Sequence, residues 1–348
     1  MHDNTEIKKF LNNWAKIVAK YQTPNKTKAI SQIITSFGPF IAVWILMYYS
    51  LGWSYWITLG LAVLNAFFLV RIFIIQHDCG HQSFFASKKA NNAVGIVCSF
   101  FSVMPYRYWA RSHAFHHSHC GQLEEDVRDL GDVHLKTVEE FRACTPYKKF
   151  VYRLYRSVPV MLMLGPIYYA GYLMRLPVIT REGWEKTRKS QVFNNVYLTL
   201  IWVILALVIG WKEFFLVHIP IVFIFFVIAV WFFYVQHQHK ETYKQWKENW
   251  EYLLAAIKGS SYYKLPKVFQ WLTGNIGLHH IHHLSSKIPN YNLEKCAKEN
   301  PIINKYATTL TFTKSLQTVF NHLWDEQQQK MISFRDYYRM EKMRNSMA

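Results

Sequence analysis

Four long apolar stretches dominate the hydropathy of this chain: residues 33–51, 53–75, 193–210 and 214–235. A bilayer core about 30 Å thick needs roughly 20 mostly apolar residues per helix, so each stretch predicts a membrane-spanning helix. The first two are separated only by a small uncharged link around Gly52 and Ser54, and the last two by Trp211, Lys212 and Glu213. Each pair therefore predicts a helical hairpin. Two further apolar stretches, 93–104 and 158–174, are short or broken by Pro159, Gly165 and Pro166. They fit helices lying at the membrane interface. The predicted fold class is an all-α integral membrane protein with four transmembrane helices in two hairpins and a helical cap on one side. The cap takes residues 76–192 and 236–348, so 33–348 read as a single domain behind an amphipathic N-terminal segment, 1–32.

Charge orients this arrangement. Lys and Arg number 40 against 22 Asp and Glu, a formal net charge of +18. The excess lies outside the hairpins: Lys8, Lys9, Lys16, Lys20, Lys26 and Lys28 before the first, then residues such as Lys88, Arg107, Arg111, Lys148 and Arg153 between them. By the positive-inside rule both termini and the central loop face the cytoplasm. Such a surface suits phospholipid headgroups or an acidic protein. It holds no isolated basic domain or reading motif, which argues against nucleic acid as a partner. The N-terminus lacks the charged, apolar and small-residue order of a cleaved signal, so the first span is expected to stay in the mature protein. Five scattered cysteines, with no Cys-x-x-Cys, read as reduced thiols.

Candidate chemistry sits in the histidines. Twelve of the sixteen fall in four clusters: His77 and His81; His113, His116, His117 and His119; His237 and His239; His279, His280, His282 and His283. Spacings of three and four residues put imidazoles on one helix face, and imidazole suits iron, copper, nickel or zinc. His77 and His237 follow the second and fourth spans directly, so all four clusters share one membrane side, whereas an extra crossing at 93–104 or 158–174 would separate them. His-Glu-x-x-His and Glu-x-x-His are both absent, which argues against a zinc hydrolase and a carboxylate-bridged di-iron bundle. Eight or nine histidines exceed what one ion takes. Two metals fit, and a nitrogen-rich site at a membrane surface suits iron activating O2 against an alkyl carbon-hydrogen bond. Asp78, Glu124, Glu125, Asp126, Asp129, Asp132 and Glu294 are the nearby carboxylates that can orient the ligands. Phe84, Phe85, Phe100, Phe101, Tyr106, Tyr108 and Trp109 serve either as walls of an alkyl channel or as interfacial anchors. The isolated His2, His134, His218 and His322 read as structural. A membrane sensor or transporter would carry ionisable residues within its spans, and only Arg71 and His218, both near predicted span ends, approach that.

The boxes His77-x-x-x-His81, His113-x-x-His116-His117 and His279-x-x-His282-His283, in this order around the hairpins, resemble the membrane fatty acid desaturases. The text at 77–85, 164–168, 233–238 and 273–293 is most similar to the bacterial acyl-lipid desaturases of the delta-5 and delta-12 group. The resemblance runs over most of the chain. It implies two non-haem irons held by His77, His81, His113, His116, His117, His279, His282 and His283, with His237 as a ninth ligand. His119, His239 and His280 fall outside those positions, as groups behind the ligands or facing solvent. Asp78, Asn275 and Gln236 are candidates for the second layer of the site; the last two either hold a water or make structural hydrogen bonds. The implied reaction takes two hydrogens from adjacent methylenes of a phospholipid acyl chain, consuming O2 and two electrons. No haem, dinucleotide or iron-sulfur motif is present. The electrons are therefore expected from an external carrier, ferredoxin or flavodoxin, at a bacterial inner membrane. A lipid hydroxylase or alkane-oxidising enzyme of the same superfamily is the alternative.

Overall fold

A computed structural model describes residues 12–128, 131–179 and 181–347. It is mostly helical. A short helix, α1 (Trp14–Ala19), leads into α2 (Lys26–Ser50), and α3 (Tyr55–Gly80) completes the first hairpin. Next come α4 (Lys88–Ser102) and α5 (Tyr106–His119), then the second hairpin, α6 (Glu185–Ile209) and α7 (Trp211–His237). Near the C-terminal side lie α8 (His279–Leu284) and α9 (Asn290–Glu299). Among the described residues, α2, α3, α6 and α7 are the four helices long and apolar enough to cross a membrane.

Each of these helices outruns its apolar stretch. α2 starts at Lys26 because the Asn25 side chain accepts from the Lys28 backbone N–H and caps the first turn. α3 continues past residue 75 to Gly80, and α7 past 235 to His237. Hydropathy marks where a helix leaves lipid, whereas its hydrogen bonds continue into the protein interior. In the second hairpin the predicted link is corrected. Trp211, Lys212 and Glu213 form the first turn of α7, and Gly210 alone makes the reversal, at φ +104°. A Cβ at that position would meet the Glu213 carboxylate at 2.3 Å.

The core lies where α3 packs against α2, α4 and α7, filled by residues such as Met47, Leu69, Ile72, Ile75, Val217 and Phe225. The outer faces carry Ile34, Leu46, Leu200, Leu207 and Val208 exposed, the surface expected of a membrane protein rather than of one bathed in water. Arg71 is buried well inside α3, not at its end. Its guanidinium bonds the Trp271 carbonyl and the Ser36 hydroxyl and lies 3.8 Å from the Trp271 ring centre. His218 is packed against Phe214 and Trp202. The 93–104 stretch is the C-terminal part of α4, whose 15 residues are too short to span. The 158–174 stretch is a π-helical turn, one α-helical turn and a second π-helical turn, Val160–Leu164, Gly165–Tyr168 and Tyr169–Leu173. Five short strands of two to four residues supplement the helical cap, among them the parallel pair Ser261–Lys264 and Thr308–Thr311. Strands this short leave no alternation to read. The first eleven residues of the N-terminal segment, with His2, and Asp129 lie outside the described residues.

Candidate metal centre

α5 sorts its histidines by helical angle. His113 and His117, four apart, share one row, and His116 lies about 100° away from His117 around the helix. α8 does the same: His279 and His283 share a row apart from His282. The two short helices face each other below the ends of α3 and α7. As a result each of these two boxes serves two places.

Ring nitrogens of His77, His81, His113, His117 and His282 all lie within 4.8 Å of one another. Nε2 of His117 is 3.1 Å from that of His113 and 3.0 Å from that of His282. A second group joins His116, His237 and His283, with Cys120 Sγ inside the same limit. His279 Nε2 stands 3.0 Å from both His237 Nε2 and His283 Nε2, and His116 Nε2 is 3.2 Å from His237 Nε2. The structure thus brings all nine box-type histidines together.

These spacings suit metal. Imidazole nitrogens about 2.1 Å from one divalent ion and 90° apart are about 3.0 Å from each other. Hydrogen bonding explains the convergence poorly, because the far nitrogens of His77 and His237 are already committed. His77 Nδ1 donates to Asp78 Oδ1 at 2.9 Å, and His237 Nδ1 to the Gly259 carbonyl at 3.2 Å. Their Nε2 atoms are then lone pairs. His77 Nε2 and His81 Nε2 are buried without any partner, and His237 Nε2 faces two other ring nitrogens. A cation resolves this arrangement. Burial, reinforced by neighbouring imidazoles, holds His81, His113, His117, His279, His282 and His283 well below the usual histidine pKa, and burial takes His116 down to about 3. Neutral rings are the ligating form.

Behind the first group Asp78 is itself fixed, its Oδ2 accepting from the Asn290 backbone N–H at 2.6 Å and side-chain N–H at 2.8 Å. Lys287 donates to the His81 carbonyl at 2.9 Å. Neither Asn290 nor Lys287 was marked by the sequence, though both lie in the 273–293 text. Cys120 Sγ approaches His237 from the Nδ1 side at 3.5 Å, opposite the Nε2 atom that faces the other rings, and burial pushes its thiol up to about 12. The Trp109 ring stacks on His113 at 4.5 Å, and Phe233 packs on both His116 and His237. Of the aromatics named from sequence, Phe100 and Phe101 instead pack with Phe37 and Phe40 in the membrane core.

Other candidates go elsewhere. Gln236 donates to the Ile276 carbonyl and Asn275 to the Asn290 carbonyl. His119 stacks on Phe115, and His280 bonds Asn304. His239 is fully buried, and among the described residues neither ring nitrogen has a partner. His239 and His280 therefore do not face solvent. Glu124 accepts from the Lys247 backbone, Asp132 pairs with Lys244, and Glu294 with Lys298. Gly277 lets the approach to the third box pass against the Tyr263 carbonyl, which a Cβ would meet at 2.4 Å.

Four membrane-length helices and a cap that encloses two groups of histidines able to hold metal ions define a membrane protein of the histidine-box kind. The profile of the fatty acid desaturases matches residues 54–313. A fatty acid desaturase of Bacillus subtilis is 43% identical over 320 residues, covering 92% of this chain and 90% of that protein. An sn-1 oleoyl-lipid 12-desaturase of Anabaena variabilis is 26% identical, covering 77% and 75%. A tobacco endoplasmic-reticulum omega-3 fatty acid desaturase is also 26% identical, over 68% of this chain and 62% of its own. The chain belongs to the fatty acid desaturase family, whose members are oxidoreductases acting on lipid acyl chains.

Proposed function

We propose that this protein is an acyl-lipid desaturase of a bacterial cell membrane, inserting a cis double bond into an acyl chain of a membrane phospholipid with O2 and two electrons. The observation that carries the reading is the convergence of nine histidines in two groups beside the ends of membrane-length helices. One iron would be held by His77, His81, His113, His117 and His282, the other by His116, His237, His279 and His283. Bound there, non-haem iron supplies the oxidising power that an unreactive methylene requires.

The chain's own residues prepare that chemistry. Asp78 and the Gly259 carbonyl hold the Nδ1 protons of His77 and His237, which fixes the tautomer and turns Nε2 inward. Trp109 and Phe233 cover His113, His116 and His237 with apolar surface that excludes water. The lipid-linked substrate is supported by the name of the Anabaena relative. Residues 33–348 act as one catalytic domain behind the 1–32 segment, with both termini and the histidines in the cytoplasm, as the flanking Lys and Arg favour. The net charge of +18 suits an acidic donor, ferredoxin or flavodoxin.

Expression in a host that lacks the product tests this. New double bonds in phospholipid acyl chains, read by gas chromatography with mass spectrometry, are expected. Hydroxylated chains would replace the reading with the hydroxylase.

A further inference from the structure

Away from the histidines a cavity of about 340 Å³ opens between α4, the first turn of α5 and the start of α6. It lies where the charged first turns of α6 give way to its apolar run, at the level of a bilayer surface. Arg107, Lys186 and Lys189 line it and are exposed. Among the described residues none of these three cations is paired with a carboxylate. Deeper in are Ser99, Asn194 and Tyr197. Asn194 is buried and donates from Nδ2 to the Ser99 hydroxyl at 3.2 Å and the Tyr197 hydroxyl at 2.6 Å. The two hydroxyls bond each other and the Ile96 carbonyl. Asn194 Oδ1 is left buried with no partner among the described residues.

Three unpaired cations beside apolar walls from Ile96 and Phe193, over a buried polar floor, suit an amphiphilic phosphate ester. We propose that this cavity seats the headgroup of a glycerophospholipid. Its phosphate lies against Arg107, Lys186 and Lys189. The inference deepens the acyl-lipid reading and rests on it. The cavity also touches the centre's own scaffold. Tyr106 lines it and donates to the carbonyl of Cys79, between His77 and His81, at 2.8 Å. Arg107 precedes His113 by six residues, about 9 Å along α5.

Native mass spectrometry of the purified full chain compares retention of phosphatidylglycerol, diacylglycerol and glycerol 3-phosphate by the wild type and by K186Q/K189Q. Both lysines are exposed, so the fold is not at stake. The wild type is expected to prefer phosphatidylglycerol, and the double variant to lose about thirtyfold in that affinity, with diacylglycerol unaffected. Equal retention of the two lipids, unchanged binding by the variant, or glycerol 3-phosphate binding as tightly as the lipid overturns the headgroup site. Product formation is read separately in cells. Selectivity without any double bond in phospholipids overturns the substrate reading alone, and double bonds without selectivity overturn the headgroup site alone.

Discussion

The two histidine groups share α5 and α8 but draw on different spans, α3 for the first and α7 for the second, and they are supported differently. Behind the first stands a carboxylate, Asp78, held by two N–H groups of Asn290. Behind the second stand neutral groups, the Gly259 carbonyl and the Cys120 thiol. A carboxylate makes its imidazole more electron-rich than a carbonyl does, so the two positions offer metal unequal basicity. The difference also shows that a histidine box is not a site. His113 and His117 serve the first group and His116 the second; His282 serves the first, His279 and His283 the second.

The largest expected effect breaks one group at a time. His282→Ala should abolish desaturated product and empty the first group, and His283→Ala the second, each lowering bound iron by about half on metal analysis; full activity in either would undo the assignment. Next, Asp78→Asn should weaken metal by about 10–100-fold, measured by competition with a chelator, with Asn290→Ala following in the same direction. Equal loss from both groups would mean that the carboxylate does not distinguish them. A sharper contrast sets Cys120→Ser against His279→Ala: iron content should survive the first and fall in the second, and the reverse would make the thiol a ligand. Smallest, Gly210→Ala should cost about 1–3 kcal/mol through its backbone strain. A lowered melting temperature with unchanged iron per folded chain checks it, since that turn lies away from the histidines.

Much of this was legible early because the signals are local. Twenty apolar residues suffice to mark a span, and i, i+3, i+4 histidines suffice to mark a ligating face. The link at Gly210 was misplaced because polarity at Trp211–Glu213 suggests a loop, whereas a helix N-terminus accepts the same residues and favours Glu213 there. Asn290 gave no signal at all: it reaches Asp78 across 212 residues, and nothing in a linear pattern records that contact. His239 and His280 look like their neighbours in sequence and differ only in which way the fold turns them.

The sequence by itself determined the four spans, the absence of a glutamate-based metal motif and the pool of histidines, because hydropathy and helical spacing act over a few residues. Tertiary structure decided how that pool divides into five and four, which far nitrogen each ring commits, and where three cations gather over a buried amide. Those depend on helices distant in the chain meeting at ångström spacing, and only the packed fold sets such distances.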